Sequence, residues 1–389
     1  MIKAALVFGT RPEVIKLAPV YDALRRRPGV FSIDVISTGQ HRDLSAQMLA
    51  VFDLHPDVDL DLMQAGQSLA DLTARILTGL TAVFDERRPD VILVQGDTTT
   101  VFAATLAAFY LRIAVAHVEA GLRTRDKFQP FPEEINRRLT DAAADLHFAA
   151  TALSRDNLLA EGTNPDRIFV TGNTVADALA MILKRRSSLE GTDLAFVDHW
   201  LGRVLLVTAH RRENLGTPMV SVCQALRRLH DAYEDLLVVF PMHPNPAVRE
   251  IVNSTLGGLP RAHLMEPPDY ELFVPLLRRA DLVITDSGGI QEEGPSLGVP
   301  VLVTRNTTER PEGVDAGSAK LVGTDEGTIV TEASRLLSDP RSYHAMATVR
   351  NPYGDGRASE RIADALEYHF GVRSDPPTPF TVPSDSGES

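Results

Sequence analysis

The stretch Thr285–Pro300 combines glycines with acids at the point where an apolar run of the sequence ends. Gly288 and Gly289 let a ligand approach the backbone closely, and a helix starting here would present free N–H groups with a partial positive charge. Together with Ser287, these glycines predict a binding position for phosphate. Glu293, about one turn into the helix, is placed to accept hydrogen bonds from a ribose. The alternative is an ordinary strand–turn–helix corner.

Three more acids stand at or just after the ends of apolar runs in the first half of the chain. Asp97 and Glu119 each end such a run close to a glycine, and Glu133 begins a predicted helix after two prolines. Carboxylates crowded in a partly desolvated cleft can have raised pKa values, which suits proton transfer near neutral pH. The alternatives are a helix N-cap role for Asp97 and a surface pair between Glu133 and Arg137.

Two cations follow the first apolar run. Arg11 stands at the entrance of a predicted helix and Lys16 about one turn further along, which predicts binding of an anionic substrate. Two solvated basic residues are the alternative. The segment lacks the G-x-G-x-x-G pattern, so a nicotinamide or flavin dinucleotide site is disfavoured.

Two histidines follow strand-like runs in the second half of the chain. His210 comes two residues after a buried run and is flanked by Arg211 and Arg212, which favours anion binding. His243 stands at the end of the next run, where structural and functional roles both stay open. Phe273 could stack on a base, although core packing is the default for such an aromatic side chain.

These residues need a framework that brings them together, and the order of elements predicts one. Short apolar runs alternate strictly with helix-period segments in two series, which predicts parallel sheets with helices on both faces. We therefore predict the α/β class, with two Rossmann-like doubly wound domains facing a central cleft, because ligands bind at the carboxyl ends of such strands. The predicted strands are Ala4–Phe8, Ser32–Ser37, Val91–Val94, Ala114–Val118, Leu146–Ala149, a run near Arg167–Val170, Val204–Thr208, Leu236–Phe240, His263–Met265, Leu282–Thr285 and Val301–Val303.

The predicted domains are residues 1–170 and 171–357, followed by an amphipathic helix within 358–372 and a mobile tail, 373–389. The tail is rich in Pro, Ser and Asp and has few apolar residues with which to form a core.

Composition limits the function classes. The 389 residues are 44% hydrophobic and 23% charged, which is typical of globular proteins. Because 39 Lys and Arg face 52 Asp and Glu, the net charge of −13 disfavours nucleic-acid partners and membrane contact. One cysteine, Cys223, allows no internal disulfide, and no Cys/His spacing suggests a metal site. The sequence has neither a signal peptide nor an apolar run of membrane-spanning length, so we expect a cytoplasmic protein.

Several of these segments together resemble the non-hydrolysing UDP-N-acetylglucosamine 2-epimerases, in family order from residue 3 to about residue 366. That family is similar to glycosyltransferases of the two-Rossmann-domain (GT-B) type, in which the last helix returns to the first domain. The matching segments are Phe8–Glu13, Gly96–Thr100, His117–Arg123, Pro132–Arg137, Thr171–Thr174, His210–Asn214 and Ser287–Glu293.

The resemblance implies reversible conversion of UDP-N-acetylglucosamine to UDP-N-acetylmannosamine, by loss of the C2 proton and UDP to give 2-acetamidoglucal, followed by re-addition of UDP. No cofactor or metal is implied. By the same resemblance, Asp97, Glu119 and Glu133 supply acid/base groups and His210 assists the UDP oxygen. Substrate binding is assigned to Arg11, Lys16, Arg137, His243, Phe273 (uracil), Ser287, Gly288, Gly289 and Glu293 (ribose).

The resemblance also implies a homodimer joined through the first domain and, in some members, activation by substrate at a second pocket. For that pocket we predict Gln40, His41 and Arg211. Asp43 and Gly66 stand where activated members can carry a glutamine and a basic residue, which weakens the expectation. Other open alternatives are a hydrolysing epimerase, a GT-B glycosyltransferase using a UDP-sugar, and a catalytically silent nucleotide-sugar binding protein.

Overall fold

The computed structural model describes residues 1–40, 42–64, 66–211 and 214–382. The chain forms two compact units. The first contains Met1–Ala178 and Gly354–Thr381, and the second contains Leu179–Tyr353. The division lies after Ala178 rather than at the predicted boundary after residue 170.

The first unit is built on a parallel sheet. Its strands are β1 Ile2–Phe8, β2 Phe31–Ser37, β3 Val58–Asp59, β4 Val91–Gln95, β5 Ala114–Ala120, β6 Leu146–Ala149 and β7 Ile168–Val170. Its helices are α1 Arg11–Arg25, α2 Arg42–Val51, α3 Leu69–Arg87, α4 Thr99–Tyr110, α5 Glu133–Ala143, α6 Ala152–Ala160, a 3-10 turn at Pro165–Arg167, α7 Thr174–Arg185, which crosses the division, and finally α16 Ala358–His369. The strand order is β3-β2-β1-β4-β5-β6-β7.

The second unit repeats this plan. Its strands are β8 Arg203–Thr208, β9 Leu236–Pro241, β10 Ala262–Met265, β11 Leu282–Thr285, β12 Val301–Val303 and β13 Ala319–Leu321. Its helices are α8 Ala195–His199, α9 Thr217–Ala232, α10 Pro246–Leu256, α11 Tyr270–Arg279, α12 Ile290–Ser296, α13 Pro311–Ala316, α14 Glu326–Ser338 and α15 Pro340–Ala347. The strand order is β10-β9-β8-β11-β12-β13, with parallel pairing throughout.

Strand β8 illustrates why these sheets carry helices on both faces. Leu205 and Val207 enter one buried cluster with residues of α9, while Val204 and Leu206 enter another with residues of α11. Because successive side chains of a strand point to opposite faces, both faces of the sheet are covered. Such strands read as continuous apolar runs. The predicted fold class, two doubly wound α/β domains with parallel sheets, is confirmed.

In each sheet the strand order reverses once, between β1 and β4 in the first unit and between β8 and β11 in the second. At such a point the loops after the two strands diverge and leave a crevice, which is where open α/β sheets bind ligands. The sequence-predicted residues Arg11 and Asp97 follow β1 and β4, and His210 and Ser287 follow β8 and β11.

Helix α16 and the segment that contains Phe380 belong to the first unit. Arg27, just after α1, forms ion pairs with Glu360, Asp364 and Glu367 of α16. Beyond α16, Phe380 is buried and its N–H donates to the carbonyl of Val170 at 2.7 Å. The mobile tail stays a prediction, and residues 383–389 lie outside the described part. None of the helices in the described ranges is long and apolar enough to cross a membrane.

Candidate active site

The turn after β1 is organised around a buried acid, Glu13. Its Oε2 accepts the N–H groups of Gly9 at 3.1 Å and Thr10 at 2.7 Å, and Oε1 accepts the Thr98 hydroxyl at 2.9 Å. Burial raises the pKa of Glu13 to about 7, although these hydrogen bonds oppose the rise. Glu13 thereby links the loops on either side of the β1/β4 crevice. Sequence reasoning assigned it no role, although an acid three residues after a threonine is a helix-start signal.

Asp97 is paired with a buried arginine. Arg137, whose side chain is 4% exposed, donates to Asp97 Oδ2 from Nη2 at 2.5 Å and from Nε at 3.0 Å. Asn136 Nδ2 holds the Asp97 carbonyl at 3.0 Å. The N-cap alternative for Asp97 is wrong, because Thr98 is the N-cap of α4 and accepts the N–H of Val101. Arg137, predicted to bind the diphosphate, lies against this acid, and its role toward the diphosphate stays a prediction.

Glu119 occupies an unusual position in β5. Its φ is +68°, a left-handed conformation that non-glycine residues rarely adopt, and the β5/β6 register shifts between Val118 and Ala120. Its carboxylate accepts Lys16 Nζ at 2.5 Å, as well as the amides of Gln95 and Asn173. Because the Lys16 side chain is only 10% exposed, the solvated alternative is wrong for this residue.

Glu133 is the first residue of α5 and is half-buried. Its neighbour Glu134 is fully buried and accepts Arg137 Nη1 at 3.2 Å and the Thr124 N–H at 3.1 Å. The surface-pair alternative is excluded because Arg137 itself is buried. The contacts of Glu134 therefore support this buried arginine.

The two acid-bearing turns lie close together. A methyl group placed on Gly96, the residue before Asp97, would come within 3.8 Å of Glu119 Oε2. Two carboxylates with a buried cation on each therefore border one crevice of the first unit. Such a site can take a proton from a carbon acid and return one.

In the second unit, His210 is held by a buried aspartate, Asp286. The two oxygens of Asp286 accept the N–H groups of His210 and Arg211 and the amide of Asn214, and Oδ1 lies 3.0 Å from His210 Nδ1. Burial alone would raise the pKa of Asp286, but the contacts with His210 outweigh it and lower the pKa. Nδ1 therefore donates to the carboxylate, and the half-exposed ring keeps Nε2 for a ligand.

His243 lies beside His210, with ring centroids 6.3 Å apart and the planes inclined by 29°. Burial and the His210 ring lower the pKa of His243. Its Nδ1 accepts the N–H of Asn245 at 3.2 Å, so part of its role is to shape the loop after β9.

The glycine corner after β11 packs against a cluster of charges. A side chain on Gly288 would meet the Arg310 guanidinium and the Glu309 carboxylate. Arg310 pairs with Glu309 at 2.8 Å and with Glu292 at 2.6 Å, and Arg305 pairs with Glu309 at 2.8 Å. Burial alone would raise the pKa of Glu309, but the arginines outweigh it and lower the pKa to about 2.

Ser287, Glu293 and Phe273 were predicted to bind the phosphate, the ribose and the uracil. The N–H of Ser287 donates to Thr285 Oγ1 at 2.9 Å, so the turn itself uses this predicted phosphate donor. Glu293 is buried in α12 and accepts the Tyr270 hydroxyl at 3.1 Å. Phe273 is half-buried and packs against the core of the second unit, which agrees with the core-packing alternative.

Comparison with known proteins identifies the family. A family model described as UDP-N-acetylglucosamine 2-epimerase matches residues 22–367. The UDP-N-acetylglucosamine 2-epimerase of Bacillus subtilis (strain 168) is 50% identical over 380 residues, covering 98% of this chain and 99% of that protein. The chain belongs to the UDP-N-acetylglucosamine 2-epimerase family. It is therefore an enzyme of the isomerase class, and the resemblance inferred from its motifs is confirmed.

Two solved structures are also similar to this chain over nearly its whole length. The UDP-N-acetylglucosamine 2-epimerase of Neisseria meningitidis, bound to UDP-GlcNAc, has a TM-score of 0.86 and 44% identity, covering 94% of this chain and 99% of that chain. The S. aureus MnaA–UDP co-structure has a TM-score of 0.89 and 44% identity, covering 98% of this chain and 100% of that chain.

The regulatory pocket expected from the resemblance stays a prediction for this chain. Gln40, in the first unit, accepts the Thr100 hydroxyl at 2.8 Å. Arg211, in the second unit, donates from Nε to the Asp286 carbonyl at 3.0 Å. His41 and the Asp43 side chain lie outside the described part of the structure, and so does Arg212.

Proposed function

We propose that this epimerase interconverts UDP-N-acetylglucosamine and UDP-N-acetylmannosamine without net hydrolysis. The observation that carries the proposal is the pair of carboxylates, Asp97 and Glu119, that border one crevice with Arg137 and Lys16 against them. The relatives from S. aureus and N. meningitidis that were solved with UDP and UDP-GlcNAc add support for this substrate class.

The proposed chemistry needs groups that act on two faces of one carbon. A carboxylate takes the C2 proton, the C1–O bond breaks, and UDP leaves with the electron pair, giving 2-acetamidoglucal. UDP then adds back to C1 while a second group protonates C2 from the opposite face. Asp97, Glu119 and Glu133 supply these acid/base groups.

The second unit is assigned the nucleotide. His210, with Nδ1 held by Asp286, would stabilise or protonate the departing UDP oxygen through Nε2. Arg11 and Arg137, from the first unit, and the N–H groups of Ser287, Gly288 and Gly289 are proposed to stabilise the charge on the diphosphate. Glu293 is proposed to bind the ribose and Phe273 the uracil, with His243 beside His210.

The test is incubation with UDP-N-acetylglucosamine alone in deuterated water, followed by proton NMR of the products. We expect both epimers, each with deuterium at C2. Free N-acetylmannosamine as the main product would establish a hydrolysing enzyme. A substrate that stays unchanged when incubated alone, but is consumed when an acceptor is added, would favour a transferase.

Variants of the acids separate catalysis from binding. Asp97→Asn, Glu119→Gln and Glu133→Gln are each expected to abolish most of the C2 exchange while UDP binding, measured by calorimetry, is retained. Full exchange in all three would contradict the proposal. The homodimer joined through the first domain is tested separately by analytical ultracentrifugation.

A further inference from the structure

His117, in the middle of β5, is buried between two hydrogen-bond acceptors. Its Nδ1 lies 2.6 Å from Asp141 Oδ1 and its Nε2 lies 2.7 Å from the carbonyl oxygen of Gly96. The side chain is 1% exposed, so water does not compete for either nitrogen. A carbonyl oxygen can only accept, and a carboxylate can only accept. Each ring nitrogen must therefore carry a proton.

Asp141 is itself surrounded by donors, which keeps it an acceptor. Its Oδ2 accepts Arg123 Nη2 at 2.7 Å and the N–H of Gly121 at 3.2 Å. Burial alone would raise the pKa of Asp141, but His117 and Arg123 outweigh it and lower the pKa to about 2. An anionic Asp141 matches a doubly protonated His117.

The other charged and titratable groups around the pair fit this assignment. Arg123 also pairs with Glu161 at 2.7 Å, so its charge is shared between two carboxylates. His147 Nε2 lies 2.9 Å from the Asp141 carbonyl, and burial lowers the pKa of His147, which keeps that ring neutral. The cluster thus holds two cations, His117 and Arg123, against two carboxylates.

The pair reaches both acid-bearing turns of the crevice. Gly96, held by His117, directly precedes Asp97, and Gly121, held by Asp141, comes two residues after Glu119. Glu119 has a φ of +68°, and such a backbone persists only when its surroundings hold it. One buried ion pair therefore fixes the ends of β4 and β5 relative to each other.

We propose that His117, acting with Asp141, is a positioning residue that sets the separation and orientation of Asp97 and Glu119 for proton transfer at the sugar. This proposal rests on the proposed epimerase function. The ring nitrogens of His117 face Asp141 and the Gly96 carbonyl rather than these two acids, so His117 acts through the backbone of the two turns. A small displacement of either carboxylate would then slow chemistry rather than weaken substrate binding.

A matched pair of variants separates this role from a purely structural one. Asparagine places its amide near the position of Nδ1 and glutamine near that of Nε2. His117→Gln therefore keeps a donor for the Gly96 carbonyl, while His117→Asn keeps a donor only toward Asp141. Both lose the buried charge, so we expect similar losses of Tm.

The rates should differ. We expect His117→Asn to lose kcat for C2 exchange on the order of 10- to 100-fold with KM little changed, and His117→Gln to retain most of the native kcat. His199→Asn, at an exposed histidine paired with Glu190, is the control and should change neither value. Equal kcat in all folded variants, or an equal fall in the Asn and Gln variants, would overturn the positioning role.

Nitrogen-15 NMR of the native enzyme, with the His117→Gln variant used to assign the signals, tests the protonation without relying on activity. With histidine-labelled protein at pH 7, we expect signals of an imidazole with both ring nitrogens protonated that disappear in His117→Gln. The signals of His230, whose ring nitrogens also face a carboxylate and a carbonyl oxygen, should remain. A neutral ring at His117 would overturn the proposal. If the native enzyme gave these signals but no C2 exchange with UDP-N-acetylglucosamine, the proposed function would fail and the two-acceptor contact would stand.

Discussion

Replacing Asp286 by asparagine is expected to slow the proposed reaction roughly 10- to 150-fold. In the native chain Oδ2 of Asp286 accepts the Arg211 N–H and the Asn214 amide at 3.0 Å each, while Oδ1 faces His210 Nδ1 at 3.0 Å. The amide oxygen of the new side chain satisfies the first two donors, so its NH₂ group faces Nδ1. Nδ1 must then accept, and the ring proton moves to Nε2.

The size of the effect follows from the bond that is lost. A hydrogen bond to a charged group contributes about 1.5–3 kcal/mol, and about 1.4 kcal/mol in barrier height changes a rate tenfold. If His210 becomes more positive when UDP departs or returns, the reaction loses this stabilisation in the transition state. The free energy of unfolding should fall too, by about 1–3 kcal/mol, because Asp286 is fully buried.

The assay is the rate of deuterium entry at C2 in Asp286→Asn, His210→Gln and the double variant. If Asp286 acts through His210, the double variant should be no slower than His210→Gln alone. Asp281→Asn is the matched control, since Asp281 accepts the Val204 N–H at 2.7 Å and should affect stability but not the rate. If the double variant were slower than His210→Gln by the factor seen in Asp286→Asn alone, the reasoning would be refuted. A native rate in Asp286→Asn would refute it too.

Three further predictions concern groups around the two crevices. The folded-state pKa of Glu13 is raised from 4.5 to about 7, so at intermediate pH the native state binds a proton that the unfolded state has lost. This group should therefore lower the free energy of unfolding by about 2.5 kcal/mol as pH rises from 5 to 8. Urea titrations should show that difference between the native chain and Glu13→Gln, and equal pH slopes would refute it. Lys16→Met leaves the Glu119 carboxylate without its buried cation and should cut C2 exchange at least about tenfold. Lys16→Arg keeps a cation and should retain more of the rate. Equal rates in the two variants would contradict the role of Lys16 as the cation beside Glu119. Gly288→Ala forces the Arg310 guanidinium aside and should weaken UDP binding, measured by calorimetry, about tenfold. Gly289→Ala is the control, because its methyl group would meet only the Ser287 hydroxyl at 3.9 Å, and it should not weaken binding. Equal affinities in the two variants would argue against this glycine corner as a UDP site.

The fold was predictable because buried parallel strands are apolar along their whole length. The predicted strands correspond to observed ones within about two residues at either end. The strands Val58–Asp59 and Ala319–Leu321 were not predicted, since two or three residues at a sheet edge, only partly buried, leave no apolar run.

Site residues that stand at the ends of strands could be predicted from the sequence. Their partners on distant segments of the chain could not. Asp97, Glu119 and His210 stand at strand ends, so topology alone places them beside a crevice. Asp141 holds His117 from 24 residues away, and Asp286 holds His210 from 76 residues away. Nothing local to a sequence segment encodes such pairs, because they form only when separate helices and strands meet.

The two units use a buried aspartate–histidine pair in different ways, and exposure decides which. In the first unit both ring nitrogens of His117 are engaged and the side chain is 1% exposed, so the ring cannot exchange a proton with a ligand. In the second unit Asp286 is equally buried but the side chain of His210 is 44% exposed. The same pairing therefore fixes backbone in one crevice and fixes the tautomer of a reactive ring in the other. It follows that loss of the aspartate should disturb geometry in the first unit and proton transfer in the second.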